Sequence, residues 1–152
     1  MTTPEMKMAE ASRRASRALA SCPTDVKNDV LLDLAGRLEA SQAEIVAANA
    51  RDLEAADAAG IRGPKFQRLR LSVEGVEQMA AGLRQVASLD DPVGVLTKDY
   101  RVPSGLQVRK VRCPIGVILM IYEARPNVTV DAFALCFKAG NACFLKGGKE
   151  AQ

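Results

Sequence analysis

An α/β fold is predicted, with a helical N-terminal layer, a β-hairpin and then one βαβ unit. Three observations predict it. Apolar residues recur every three to four positions through the first 90 residues, as on one face of a helix. After residue 92, two β-prone stretches flank the turn residues Pro103-Ser104-Gly105. The continuous apolar run 116–121 and a second strand-like stretch, 142–146, then enclose a helix-patterned segment. The chain accordingly divides at 1–91, a helical layer, and 92–152, the hairpin plus βαβ unit.

A first helix is expected over 8–19, ended before Pro23. Thr24 or Asp25 stands where a second would be capped, and Val30, Leu31, Leu34 and Leu38 form its apolar stripe. Ser41-Gln42-Ala43-Glu44 matches a capping box, in which serine and glutamate satisfy each other's free amides, so a third helix is expected over 42–58, stopping at Gly60. Ser72 can cap a fourth, whose Val73, Val76, Met79, Ala80, Leu83 and Val86 share a face and which Asp90-Asp91-Pro92 ends.

Residues 95–102 and 106–112 read as the hairpin strands. The run 116–121 has the texture of a parallel strand buried on both faces. Asn127 is then the expected N-cap of a helix reaching Ala139, with Val130, Phe133, Ala134 and Phe137 on one face and Gly140-Asn141 as its stop. A second buried strand follows at 142–146, and Lys149 onward reads as the start of another helix.

Composition narrows the function. At 152 residues the chain should bury ~70% of its unfolded surface. Its 48% hydrophobic and 26% charged residues are those of a globular protein, which disfavours disordered and collagenous classes. The net charge of +3 is uneven, because residues 1–90 sum to −1 and residues 91–152 to +4. With no Lys/Arg cluster, this suits a small anionic ligand and not nucleic acid. The sequence has no histidine, so Cys/His zinc sites and histidine-based triads cannot be built from it, and no metal is expected. Cys22, Cys113, Cys136 and Cys143 fit neither CxxC pairs nor a secreted disulfide framework. The N-terminal residues lack a signal-peptide core and no run is long enough to span a membrane, so a cytoplasmic protein is expected.

Candidate chemistry clusters at the carboxyl ends of the two parallel strands, where open α/β sheets bind ligands. Gly147-Gly148 lets backbone approach a phosphate closely, or is simply a tight turn. Lys146 and Lys149 flank it and favour a dinucleotide carrying a 2′-phosphate, although solvated strand and helix ends would look the same. Neither a P-loop nor a G-x-G-x-x-G is present. At the other strand end, Arg125 can fork onto a carboxylate or phosphate and Asn127 can donate to an oxyanion. Glu123 can accept a hydroxyl, or merely pair with Arg125.

Four blocks in order then resemble the γ-glutamyl phosphate reductase family: Pro114-Ile115-Gly116-Val117-Ile118, residues 121–132 (Ile-Tyr-Glu-Ala-Arg-Pro-Asn-Val-Thr-Val-Asp-Ala), Lys138-Ala139-Gly140-Asn141-Ala142, and 146–151 (Lys-Gly-Gly-Lys-Glu-Ala). Upstream, Ala47-Ala48-Asn49-Ala50-Arg51-Asp52 and Asp91-Pro92-Val93-Gly94 also match. The resemblance implies an aldehyde dehydrogenase-like fold whose Rossmann-like sheet starts here and is truncated after its first βαβ unit. It implies NADPH-dependent reduction of L-glutamyl 5-phosphate to L-glutamate 5-semialdehyde and phosphate, in proline biosynthesis, by a homo-oligomer when full length.

Tyr122, Lys146, Gly147, Gly148 and Lys149 correspond to the cofactor-contacting segments, and Glu123, Arg125 and Asn127 to the substrate side. The superfamily's Pro-Trp-Asn is replaced here, leaving Asn127 as the candidate for an oxyanion role. The family's nucleophile sits in Asn-Ala-x-x-Cys-Asn, a context none of the four cysteines has, so the catalytic cysteine is expected outside this chain and the chain alone is expected to be inactive. Two alternatives are another acyl-phosphate or aldehyde reductase of the superfamily, and a non-catalytic module that binds full-length subunits through its helical layer.

Overall fold

The structure, a computed structural model, describes residues 3–123 and 125–149; Ala124 and residues 150–152, where a further helix was expected to begin, lie outside the described residues. Helix α1 (Pro4–Leu19) starts earlier than its periodicity suggests. The Thr3 hydroxyl accepts from the Met6 amide at 3.3 Å, and Pro4 occupies a first position where a missing N–H costs nothing. Helix α2 (Thr24–Ala40) has neither expected cap. Thr24 Oγ1 donates instead to Asp91 Oδ2 at 2.8 Å, and Asp25 accepts only from the adjacent Val26 amide.

The expected capping box does not form either. Ser41 alone joins α2 to α3 (Gln42–Ala58), and its φ of −96° and ψ of 11° keep it near-helical, so its side chain makes no cap hydrogen bond. Helix α4 (Pro64–Leu69) was not anticipated, because six residues are too few to show a helical period. Helix α5 (Val73–Ser88) begins as expected, with Ser72 Oγ accepting from the Gly75 amide at 3.2 Å.

Strands β1 (Leu96–Arg101) and β2 (Gln107–Val111) form the antiparallel hairpin, closed by Gly105 at φ +88°. Strands β3 (Val117–Ile121) and β4 (Ala142–Lys146) pair in parallel, from Val117 opposite Ala142 to Ile121 opposite Lys146, and α6 (Pro126–Lys138) connects them. Burial on both faces does not hold for β3: Val117, Leu119 and Ile121 are 38%, 58% and 73% exposed, whereas Ile118 and Met120 are half-buried. Asn127 is not the N-cap of α6. Arg125 is, with Pro126 taking the first helical position, and Asn127 lies inside the first turn.

The main core crosses the 91/92 division. Leu31 and Ala35 of α2, Ala80, Leu83 and Ala87 of α5, and Ala134 of α6 are buried together, with Leu34, Leu38, Val130, Phe133 and Phe137 packed around them. Val30 turns outward. The Phe133 and Phe137 rings stack at 5.2 Å. Inside this helical layer lies a charged network absent from the sequence-based expectation. Lys27, 1% exposed, pairs with Asp91 and donates to the Lys138 carbonyl at 3.3 Å, while Lys138, 3% exposed, donates to Asn28 Oδ1 at 2.5 Å and to the Ala87 carbonyl at 2.9 Å. Burial alone would raise the Asp91 carboxyl. Hydrogen bonds from Lys27, the Val93 amide and Thr24 outweigh that and hold it below the ordinary range.

The βαβ unit is pinned at its other end by Gly140 and Asn141. The Asn141 amide bonds the Cys136 carbonyl and the Gly140 amide that of Phe137, closing α6 with a Schellman turn at Gly140 φ +73°. Buried Asn141 then accepts from the Gly116 amide at 2.8 Å and donates to the Ala139 carbonyl at 3.2 Å, tying the start of β4 to the start of β3.

Candidate functional site

Parallel pairing brings the carboxyl ends of β3 and β4 side by side, and it continues one residue further, since the Tyr122 amide donates to the Lys146 carbonyl at 3.1 Å. The turn after β4 therefore lies against the segment after β3. A Cβ added at Gly147 would stand 3.5 Å from the Tyr122 Cζ and Oη, so the tyrosine ring walls the glycine turn. Tyr122 is half-buried and is fixed at its tip by a 2.6 Å hydrogen bond between its hydroxyl and Thr129 Oγ1. Thr129 was not singled out from sequence, although it sits within the strongest family-like block, one helical turn into α6.

The cations expected here are present and accessible. Lys146 is exposed and folds back to donate to the Gly147 carbonyl at 2.9 Å, an interaction an incoming anion can replace. Lys149 is exposed and makes no hydrogen bond or ion pair among the described residues. Two cations beside a Gly-Gly turn at parallel strand ends fit a phosphorylated dinucleotide: backbone can approach the ligand, and charge is available beside it.

At the β3 end, the Glu123–Arg125 ion pair, one of the two readings open for Glu123, does not form among the described residues. Glu123 Oε2 meets Arg68 Nη1 at 3.3 Å, a partner supplied by α4 and so invisible to local sequence reading. The Arg125 backbone caps α6 while its side chain is exposed and unengaged among the described residues. Asn127 Nδ2 donates to Asp131 Oδ2 one turn along the helix, at a long 3.3 Å. The structure thus gathers Tyr122, Lys146 and Gly147 into direct contact and sets Glu123, Arg125 and Asn127 around the entrance to α6.

The four thiols are free. Burial raises the Cys136 thiol, with the neighbouring Cys143 adding to it, and burial also raises Cys143, so both stay protonated and poorly nucleophilic. Among the described residues no group of three or more Cys, Asp or Glu side chains is placed to hold a metal ion, and no helix is long and apolar enough to cross a membrane.

No protein-family model matches the chain. Curated proteins do. The gamma-glutamyl phosphate reductase of Meiothermus ruber is 51% identical over 152 residues, covering 99% of this chain and 36% of that protein. That of Syntrophomonas wolfei is 51% identical over 146 residues, 96% of this chain and 35% of the relative. Among solved structures, the gamma-glutamyl phosphate reductase of Thermotoga maritima superposes with a TM-score of 0.91 at 36% identity, over 96% of this chain and 35% of its own. The Saccharomyces cerevisiae enzyme gives 0.94 at 34%, over 99% and 38%. This chain spans about a third of the length of the relatives it matches, and its mixed α/β architecture is that of their N-terminal part.

Proposed function

We propose that a chain this similar to gamma-glutamyl phosphate reductases over a third of their length is the part of such an enzyme that grips NADPH and takes hold of the substrate. The reaction is the reduction of L-glutamyl 5-phosphate to L-glutamate 5-semialdehyde and phosphate, on the way to proline, within an aldehyde dehydrogenase-like fold. The carrying observation is the contact between two family-like segments, residues 122–127 and 146–149, at adjacent parallel strand ends.

In this reading Lys146 and Lys149 meet the 2′-phosphate, Gly147 and Gly148 admit the adenosine end against backbone, and Tyr122 walls the turn. NADPH, when bound, supplies the hydride. Arg125 clamps a substrate anion, Glu123 accepts a substrate hydrogen bond, and Asn127, whose amide is only loosely held by Asp131, donates to the carbonyl oxygen as it gains negative charge. A thiolate from a segment outside these 152 residues displaces the phosphate, since none of the four cysteines here has the Asn-Ala-x-x-Cys-Asn context of the family's nucleophile. The enzyme works on a small molecule in the cytoplasm as a homo-oligomer, with no role for nucleic acid or membrane.

The test on this chain is titration with 2′,5′-ADP and with 5′-ADP, followed by amide shifts at Gly147 and Gly148. Lys149→Glu should weaken 2′,5′-ADP about tenfold or more while sparing 5′-ADP, as expected for the loss of a hydrogen bond to a charged group. An unchanged ratio removes the cofactor assignment. In an intact relative, Arg125→Ala at the equivalent position should depress activity with the fold preserved, and unaltered kinetics would remove Arg125 from the site.

A further inference from the structure

The helical layer sends a cation of its own to the carboxyl end of β3. Arg68, in the last turn of α4, holds Glu123 Oε2 at 3.3 Å across 55 positions of sequence. The backbone that carries Arg68 is fixed. Leu69 is buried with Ala56 against Leu53, Ile61 and Phe66, and buried Asn49 of α3 donates to the Leu69 carbonyl at 2.9 Å and accepts from the Leu71 amide at 2.8 Å. Asn49 belongs to the family-like stretch 47–52, which the cofactor crevice leaves unexplained.

Glu123 has a second arginine much nearer in sequence. The Arg125 amide donates to the Glu123 carbonyl at 2.8 Å, a bond that draws the two residues together. Their side chains do not pair. Glu123 meets Arg68, and the Arg125 side chain is exposed with no hydrogen bond or ion pair among the described residues. Two guanidiniums and one carboxylate leave a net positive charge at this strand end. Removing Arg68 cancels that charge and releases the carboxylate to Arg125, the group that an incoming anion would use.

We infer that Arg68 is a positioning residue of this site: by engaging Glu123 it keeps Arg125 unpaired and available to an anionic group of the substrate. The inference rests on the reading that Arg125 clamps a substrate anion, and it adds the residue, far away in sequence, that keeps the clamp open. A different role for the same contact is a strut that ties α4 to the end of β3. The two roles separate cleanly, because a strut stays lost when its second partner is also removed, whereas a clamp closed by Glu123 reopens.

Inorganic phosphate is the probe, titrated into the 152-residue chain at low ionic strength, where exposed charges are least screened. The readouts are the amide shifts of Arg125, Asn127 and Val128 and the side-chain Nε–H of Arg125. Arg68→Ala, at an exposed side chain, should weaken phosphate at these residues about threefold to fivefold, the size of an exposed pair's interaction, and should move the Arg125 Nε–H resonance before phosphate is added. Adding Glu123→Gln to Arg68→Ala should return both affinity and resonance to near the parent values, and Arg68→Lys alone should stay near the parent. Gly147 and Gly148 report phosphate at the cofactor crevice separately and should respond alike in every variant. The inference is overturned if Arg68→Ala leaves the Arg125 resonance unmoved, or if the double variant binds as weakly as Arg68→Ala. Phosphate that leaves Arg125, Asn127 and Val128 unmoved in the parent would instead sink the anion-clamp reading, and the Arg125 resonance would still decide whether Arg68 keeps that side chain unpaired.

Discussion

Leu31 has Asp29 and Asp33 two positions away on either side and Leu119 lies within the unbroken apolar run 116–121, yet Leu31 is 0% exposed and Leu119 is 58% exposed. The first sits where α2, α5 and α6 converge; the second stands on the outward face of β3. The lysines invert the pattern. Lys27 and Lys138, on helices, are sealed inside by Asp91, Asn28 and two carbonyls, whereas Lys146 and Lys149, at the strand end, stay in solvent. In this molecule residue type does not decide burial; the neighbours that converge on a position do. The helices have used these two cations as internal struts, and the strand end leaves its two in solvent.

The largest effect should come from breaking the network inside the helical layer. Asp91→Ala leaves Lys27 buried without its counter-charge and should cost ~3–5 kcal/mol, measured by urea unfolding. The same carboxylate gives the comparison a pH signature. Its folded pKa is depressed, so its contribution is complete above the ordinary value near 4 and is lost as pH falls through the folded value. Acid unfolding should therefore be steeper in the parent than in Asp91→Asn, and parallel acid limbs would remove Asp91 as the cause.

Leu31→Ala should cost ~2–5 kcal/mol through lost burial and the cavity left behind. Gly140→Ala should cost about 1–3 kcal/mol, because an added Cβ would meet Pro114 Cγ at 2.9 Å in a left-handed backbone that glycine alone adopts easily. Leu119→Ser, by contrast, should move stability by no more than about 0.5 kcal/mol. Equal losses for Leu31→Ala and Leu119→Ser in thermal melts would erase the difference between the two regions.

Much of this architecture was readable from local pattern. Ser72 capping α5, Gly60 and Gly140 closing helices, Gly105 turning the hairpin, and the parallel pairing of two apolar runs all follow from chemistry within a few residues. So does the gathering of Tyr122 and Gly147, because strands joined by one crossover helix present the same ends together. The features that local reading missed have two causes. Ser41 fails as a cap because two helices abut at it, whereas Thr24 is drawn to Asp91 across 67 positions and Glu123 to Arg68 across 55.

By itself, then, the sequence determined the element types other than the short α4, the order of the βαβ unit and the resemblance to gamma-glutamyl phosphate reductases. Only the tertiary structure decided which polar side chains became internal struts and which stayed at the surface. A donor's choice among distant acceptors depends on where the packed helices place them, and no local period records that.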